Sequence, residues 1–323
     1  MSKKITAFVA GRKFGNTETL VKEALMAAQE MGVEIEMIRL NDCDIRPCKS
    51  CPGGCVAFIK DPWQCVIQDD TNWLLDKFLD CDGYLLASPV YTCSPSGVIT
   101  VFRDRVIGPR MDTARLENAK PAWAEGRVRQ RAGALISVGG ARTENWTSLG
   151  IPTLYTTCIS PQTEVVDLMN VTECGGPGAA TLDEELLERA RTLGRNLAEA
   201  VLTGDNSWRG HVDGEACPHC HWKVMMLKPG TNEVECAVCG SKGYMTFEDG
   251  VVHMHFKDND PDNRYTHLGK HTHQNEIDSV SHTKYLPYVD KVKENLKKYK
   301  ENESFVCDVK AERAAYEARK NNK

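Results

Sequence analysis

Short apolar runs alternate with helical stretches through the first two hundred residues, and that alternation limits the architecture more than any other feature. Lys4 to Ala10, Val33 to Leu40, Gly83 to Ala87, Ala132 to Val138 and Val165 to Val171 read as strands. Apolar residues at helical spacing fill Thr17 to Met31, Asp69 to Asp80, Gly97 to Val106 and Leu182 to Leu202. In Asp69 to Asp80 the inward set is Trp73, Leu74, Leu75 and Phe78. Strands that alternate with helices imply a parallel sheet covered on both faces. Right-handed crossovers then leave few topologies, of which the doubly wound five-stranded sheet fits best. Such a sheet binds ligands at the carboxyl ends of its strands.

The character changes after Gly204-Asp205-Asn206. Residues 206–275 read as short strands around two Cys-x-x-Cys pairs, and 276–323 as a charged helical tail with a solvated face. Residues 1–205 are then the sheet domain, with a cysteine-rich loop at 41–65. A net charge of −5 argues against a nucleic-acid backbone as main partner. No apolar run reaches the length of a membrane span, and Met1 to Ile5 lacks the apolar core of a signal peptide. The fourteen cysteines therefore read as metal ligands or free thiols in a reducing cytoplasm. Cys81 and Cys158, in apolar segments, read as plain core residues.

Eight of the cysteines form two clusters. Cys48, Cys51, Cys55 and Cys65 lie in one loop, and four clustered thiolates suit an iron–sulfur centre, with [4Fe–4S] the first choice. A cluster-free loop or a zinc loop remains open, and Cys43 can stand in as a ligand. Cys217-x2-Cys220-x15-Cys236-x2-Cys239 suits a closed tetrahedral site, with zinc favoured over rubredoxin-type iron. His253, His255, His267, His271 and His273 read as polar strand and loop residues rather than a further site.

The turn Gly11-Arg12-Lys13-Phe14-Gly15-Asn16-Thr17 follows the first strand, where helix N–H groups favour an anion. Asn16 and Thr17 add side-chain donors and Arg12 a charge. Ser88-Pro89-Val90-Tyr91 follows the third strand, and Gly139-Gly140-Ala141-Arg142 the fourth. Tyr91 offers an aromatic surface, the glycines allow close backbone approach, and Arg142 can stabilise a reduced anionic ring. Trp146 reads either as a cover for this pocket or as helix packing. Asp104 and Arg105 read as an ion pair at a helix end.

The ordered set Gly11…Gly15-Asn16-Thr17, Pro47-Cys48-x-x-Cys51, Cys65-x-x-x-Asp69-Asp70, Ser88-Pro89-Val90-Tyr91, Phe102-Arg103-Asp104-Arg105 and Val138-Gly139-Gly140 resembles the flavodoxin-like NAD(P)H-dependent FMN reductases. Within that group it is most similar to the iron–sulfur flavoproteins. The resemblance spans roughly residues 4 to 202. It implies FMN, with its phosphate in the first loop and its ring against the other two. It does not settle the electron donor, NAD(P)H or ferredoxin, or the acceptor, and it implies a homodimer or homotetramer that covers the flavin edge. The first loop is shorter than the common family form, and Arg12 stands where a serine often follows the glycine. The rival reading is a non-catalytic electron carrier, or a redox-sensing module whose metal ribbon docks a partner.

Overall fold

The computed structural model describes residues 2–51, 55, 65–212 and 214–321. The chain divides into two compact units, one running to His273 and the other beginning at Gln274.

In the first unit, β1 (Lys4–Val9), α1 (Asn16–Glu30), β2 (Glu34–Arg39), α2 (Thr71–Asp80) and β3 (Gly83–Tyr91) follow in order. Next come β4 (Ser94–Pro95), α3 (Gly97–Phe102), α4 (Thr113–Ala119), β5 (Ala132–Val138), α5 (Gly150–Thr156), β6 (Glu164–Val171) and α6 (Glu184–Thr203). The strands pair in the order β2-β1-β3-β5-β6, all parallel, with β4 turning back antiparallel on the end of β3. This is the flavodoxin-like order expected of five such strands.

Because side chains alternate along a strand, each strand feeds two cores. Ile5, Ala7 and Val9 of β1 face Leu20, Ala24 and Leu25 of α1 and Leu193 and Leu197 of α6. Phe8 faces the other way, onto Phe78 of α2 and Phe102 of α3. The helices α1 and α6 meet so closely that a Cβ at Gly194 would lie 1.9 Å from the Ala24 carbonyl oxygen. Buried polar groups tie the layers together. Arg131, 1% exposed, donates to the carbonyls of Cys81, Leu79, Arg127 and Arg129. Cys81 and Cys158 are fully buried, as expected of core thiols. Leu74, Leu75 and Phe78 are buried as read, but Trp73 is not. It is 47% exposed and faces Lys77, because α2 buries only the face that meets the sheet.

After α6, β7 (Met225–Leu227), β8 (Glu233–Cys236), β9 (Lys242–Glu248) and β10 (Val251–Phe256) form an antiparallel sheet ordered β10-β9-β8-β7. Its Trp222, Val238 and four cysteines join the same apolar cluster as Phe8 and Phe102. Tyr155 of α5 donates from its hydroxyl to the Cys220 carbonyl at 2.6 Å. The helix α7 (His267–Val280) crosses from the first unit into the second, where α8 (Val289–Lys300) and α9 (Val309–Asn321) follow. No described residue from Gln274 on is buried. No helix among the described residues is long and apolar enough to cross a membrane.

Candidate active site

Three segments converge at the carboxyl ends of β1, β3 and β5. Gly11 has a φ of +109°, open to glycine, and a Cβ there would approach the Pro89 ring to 3.2 Å. Its N–H donates to Asn41 Oδ1 at 2.8 Å. Gly15 N–H closes a turn onto the Arg12 carbonyl, and Gly15 then caps α1 with no side-chain acceptor. The first-turn N–H groups of α1 therefore face the rim without a side-chain cap, which is the arrangement that receives anions. Arg12 and Lys13 are exposed beside them, and Thr17 is buried. Asn16 behaves differently from the sequence reading. Both of its amide hydrogens go to the carbonyls of Cys174 and Gly176, each at 2.7 Å, and its oxygen accepts from Ala180 N–H. Asn16 thus fastens the segment after β6 to the rim.

Ser88, Pro89, Val90 and Tyr91 are strand rather than loop: β3 runs through Tyr91 and folds back through β4. The turn residues Thr92 and Cys93 have φ of 50° and 67°. Two positive φ values match the tight hairpin that suits strand twist, at a cost for β-branched Thr92. Ser88 Oγ is buried and accepts from Ser96 N–H at 3.0 Å. Tyr91 projects 59% exposed, and Cys93 accepts Leu149 N–H at 3.2 Å. After β5, Gly139 exchanges backbone bonds with Val171 and Cys174. A Cβ at Gly140 would lie 2.7 Å from Gly175. Arg142, exposed, pairs with Glu173 at 3.3 Å. Trp146 is 59% exposed.

The cysteine loop follows β2, and its residues 52–54 and 56–64 lie outside the described ones. Cys48 is exposed and Cys51, Cys55 and Cys65 are half-buried. Burial pushes the Cys55 thiol up, and the charges of Cys48, Cys65 and Cys51 push it further, while Arg110 opposes them. The four sulfurs therefore share one electrostatic neighbourhood. Backbone N–H of Ser50 reaches Cys48 Sγ at 3.4 Å. Buried Arg105 donates to Cys65 Sγ at 3.1 Å, to Asp69 at 2.7 Å and to Thr71 at 3.1 Å. It does not pair with Asp104, which holds Arg103 instead. The π-helical turn Arg103–Ile107 rotates Arg105 inward and leaves Asp104 half-exposed. Burial opposes ionisation of Asp69, but Arg105, Thr71 and backbone N–H groups outweigh it and hold the carboxyl at about 2. Burial lowers Arg110 to about 10 against the pull of Cys65 and Cys55.

The second cysteine set is closed. Cys217 and Cys239 sulfurs lie 3.5 Å apart and those of Cys220 and Cys236 3.4 Å, all four buried and within 4.8 Å of one another. Hydrogen bonds with Cys217, Cys236 and Cys239, and then burial, push the Cys220 thiol well up. Four buried sulfurs this close cannot all ionise without a cation among them. Bonds of about 2.3 Å from a central ion set tetrahedral sulfurs about 3.8 Å apart, so the set fits such an ion with little movement. His221 is no competitor: it stacks on Trp208 at 4.0 Å, and burial lowers it to about 4.

The sequence profile of the NADPH-dependent FMN reductases matches residues 3–147. A flavone synthase from Aspergillus candidus is 31% identical over 256 residues, 75% of this chain and 78% of its own length. An iron–sulfur flavoprotein from Methanocaldococcus jannaschii is 31% identical over 198 residues, 59% of this chain and 92% of its own. The chain belongs to the FMN reductase and iron–sulfur flavoprotein family. A solved flavone reductase superposes with a TM-score of 0.67 at 28% identity, covering 98% of this chain and 97% of that one.

This flavoprotein is thus an FMN-dependent oxidoreductase. Sequence reasoning passed over two residues that the fold brings to the cysteine loop. Arg105 lies inside the Phe102-Arg103-Asp104-Arg105 motif, where local order pairs it with Asp104, and Arg110 gives no signal because its partners Thr71 and Asn72 are distant in the chain. The histidines also divide. His253 faces Glu215 and His255 stacks on Tyr244, whereas His267 and His271 turn together toward Glu117.

Proposed function

We propose that this flavoprotein takes electrons from NAD(P)H, or from ferredoxin, and delivers them to a planar conjugated carbonyl compound of the flavone type. The observation that carries the reading is the convergence of Gly11, Pro89 and the Val138-Gly139-Gly140 segment on one rim at the carboxyl ends of the strands. Residues of Gly11–Thr17 would hold the FMN phosphate through backbone N–H groups, with Arg12 and Lys13 supplying charge. Ser88, Pro89, Val90, Tyr91, Gly139, Gly140 and Arg142 would flank the ring. The flavin supplies hydride acceptance and release as one or two electrons. Tyr91 and Trp146, both exposed at the rim, give a flat acceptor aromatic surfaces to lie against. The flavone synthase and the flavone reductase, which align along most of this chain, support that acceptor class.

Cys48, Cys51, Cys55 and Cys65 would hold a [4Fe–4S] cluster, whose net negative charge Arg105 and Arg110 offset. The Ser50 N–H and Arg105 contacts to sulfur are of the kind that raise a cluster's potential. Cys217, Cys220, Cys236 and Cys239 would hold a structural Zn2+, the ion that a closed four-thiolate set favours. The working form is a homodimer or homotetramer in the cytoplasm. The test is anaerobic purification with flavin, iron and zinc assays, followed by turnover of a flavone with NAD(P)H and with reduced ferredoxin. Bound FMN with donor-dependent loss of the flavone is expected. Protein that holds no flavin after reconstitution, or that reduces FMN but never the flavone, would refute the binding and acceptor assignments respectively.

A further inference from the structure

His267 and His271 stand one turn apart at the start of α7, so the i, i+4 spacing places both rings on one face. Their ring centroids are 4.2 Å apart. Both Nε2 atoms point at the same carboxylate oxygen, Glu117 Oε2 on α4, at 3.1 and 2.8 Å. All three ligating atoms lie within 4.8 Å of one another. A first-row divalent ion with bonds of about 2.0–2.2 Å separates adjacent ligand atoms by roughly 3–3.5 Å. The trio therefore needs only a small outward shift to receive one.

The two helices are held together independently of that trio. Lys270, nearly buried between the two histidines, donates to Asp112 Oδ2 at 2.6 Å. Asp112 in turn caps α4 by accepting Arg115 N–H. Tyr265, just before α7, donates to the Tyr155 carbonyl at 2.8 Å. The ligand groups are thus positioned by contacts that do not involve an ion, as a preorganised site requires. Glu117 and His267, though not His271, also line a cavity of about 630 Å³, together with Leu116, Lys120 and Val128, so two of the three ligands border open space.

We propose that Glu117, His267 and His271 form a second, open metal site that takes a borderline divalent ion such as Zn2+, with its remaining coordination positions facing the cavity. Two imidazoles and one carboxylate lack the thiolates that select clusters and the all-oxygen shell that selects Ca2+ or Mg2+. Three protein ligands with an open position are the pattern of sites that bind water or substrate, in contrast to the closed four-cysteine set.

The test uses the full chain with its own cofactors, freed of loosely held metal by dialysis. Zn2+ titration by calorimetry is compared between wild type, His267→Gln, His271→Gln and Glu117→Gln. His267 is exposed, so its variant keeps the fold, which retained FMN absorbance checks. Wild type is expected to take about one more equivalent of Zn2+ than each variant, or to bind it at least tenfold more tightly. Cu2+ added instead should give an electron paramagnetic resonance spectrum split by two imidazole nitrogens, lost in His267→Gln. Two imidazole N–H donors on one carboxylate would produce the same distances with no ion. Equal Zn2+ uptake and affinity in wild type and all variants, with no imidazole splitting, would establish that alternative and overturn the proposal.

Discussion

Arg105 illustrates how one residue changes meaning when its neighbours are known. In the sequence it follows Asp104, and local pairing is the simplest reading. In the structure it is 3% exposed and bridges Asp69 and the Cys65 sulfur, with Nε unpartnered among the described residues. Asp69 is its counterweight, held at about 2. A carboxyl whose pKa is depressed on folding contributes stability that is present above its unfolded value near 4 and is lost as pH falls toward 2. Wild type should therefore lose on the order of 1–2 kcal/mol of unfolding free energy between pH 4 and pH 2, tempered by the solvent that reaches the loop rim. Asp69→Asn should lose less over the same window. Denaturant titrations at the two pH values check this, and equal losses in both proteins would show that Asp69 is not the group responsible.

Among elements, β3 departs most from expectation. An apolar stretch ending at Ala87 reads as a short buried strand, yet pairing with β5 continues to Pro89 and the hairpin with β4 carries it to Tyr91. Proline in a strand normally argues for its end. Pro89 is tolerated because it lies at the sheet's carboxyl edge, beyond the last β1 partner at Ala87, so no ladder bond to β1 needs its N–H. The same edge places Pro89 against Gly11. Gly11→Ala should therefore strain the backbone by about 1–2 kcal/mol and crowd Pro89. Purified Gly11→Ala should carry at least tenfold less FMN by affinity, measured by quenching of flavin fluorescence. Wild-type affinity in that variant would remove the first loop from the binding site.

For the whole molecule, the four-cysteine set matters beyond its own ribbon, since its sulfurs share a cluster with the sheet's Phe8 and Phe102. Loss of a structural ion leaves buried thiols unpaired, a change in the class that costs several kcal/mol. Cys236→Ala should lower the thermal midpoint by on the order of 5–10 °C. It should do so while FMN remains bound and reducible, as followed by calorimetry and flavin bleaching. Cys51→Ala should do the converse, removing broad visible absorbance with little change in midpoint. A Cys236→Ala protein that bleaches abnormally but melts normally would make that site an electron outlet instead.

Strand and helix identity and the set of Cys217, Cys220, Cys236 and Cys239 were legible along the chain, because each depends on spacing within a few residues, and the sheet order followed from the rules that govern alternating strands and helices. Apolar alternation writes β1 and β5 directly, and Cys-x-x-Cys knuckles place ligands by local turn geometry. What the linear order does not carry is which distant groups the folded chain brings within 3 Å. Asn16 was legible as a polar loop residue, but its partners lie more than 150 positions on, past β6. Glu117 and His271 are likewise 154 positions apart and meet where Lys270 and Tyr265 dock the start of α7. Periodicity and short motifs record local forces, whereas the partner of a buried charge or a polar side chain is chosen by tertiary packing, which alone decides what water is excluded and which groups remain to satisfy it.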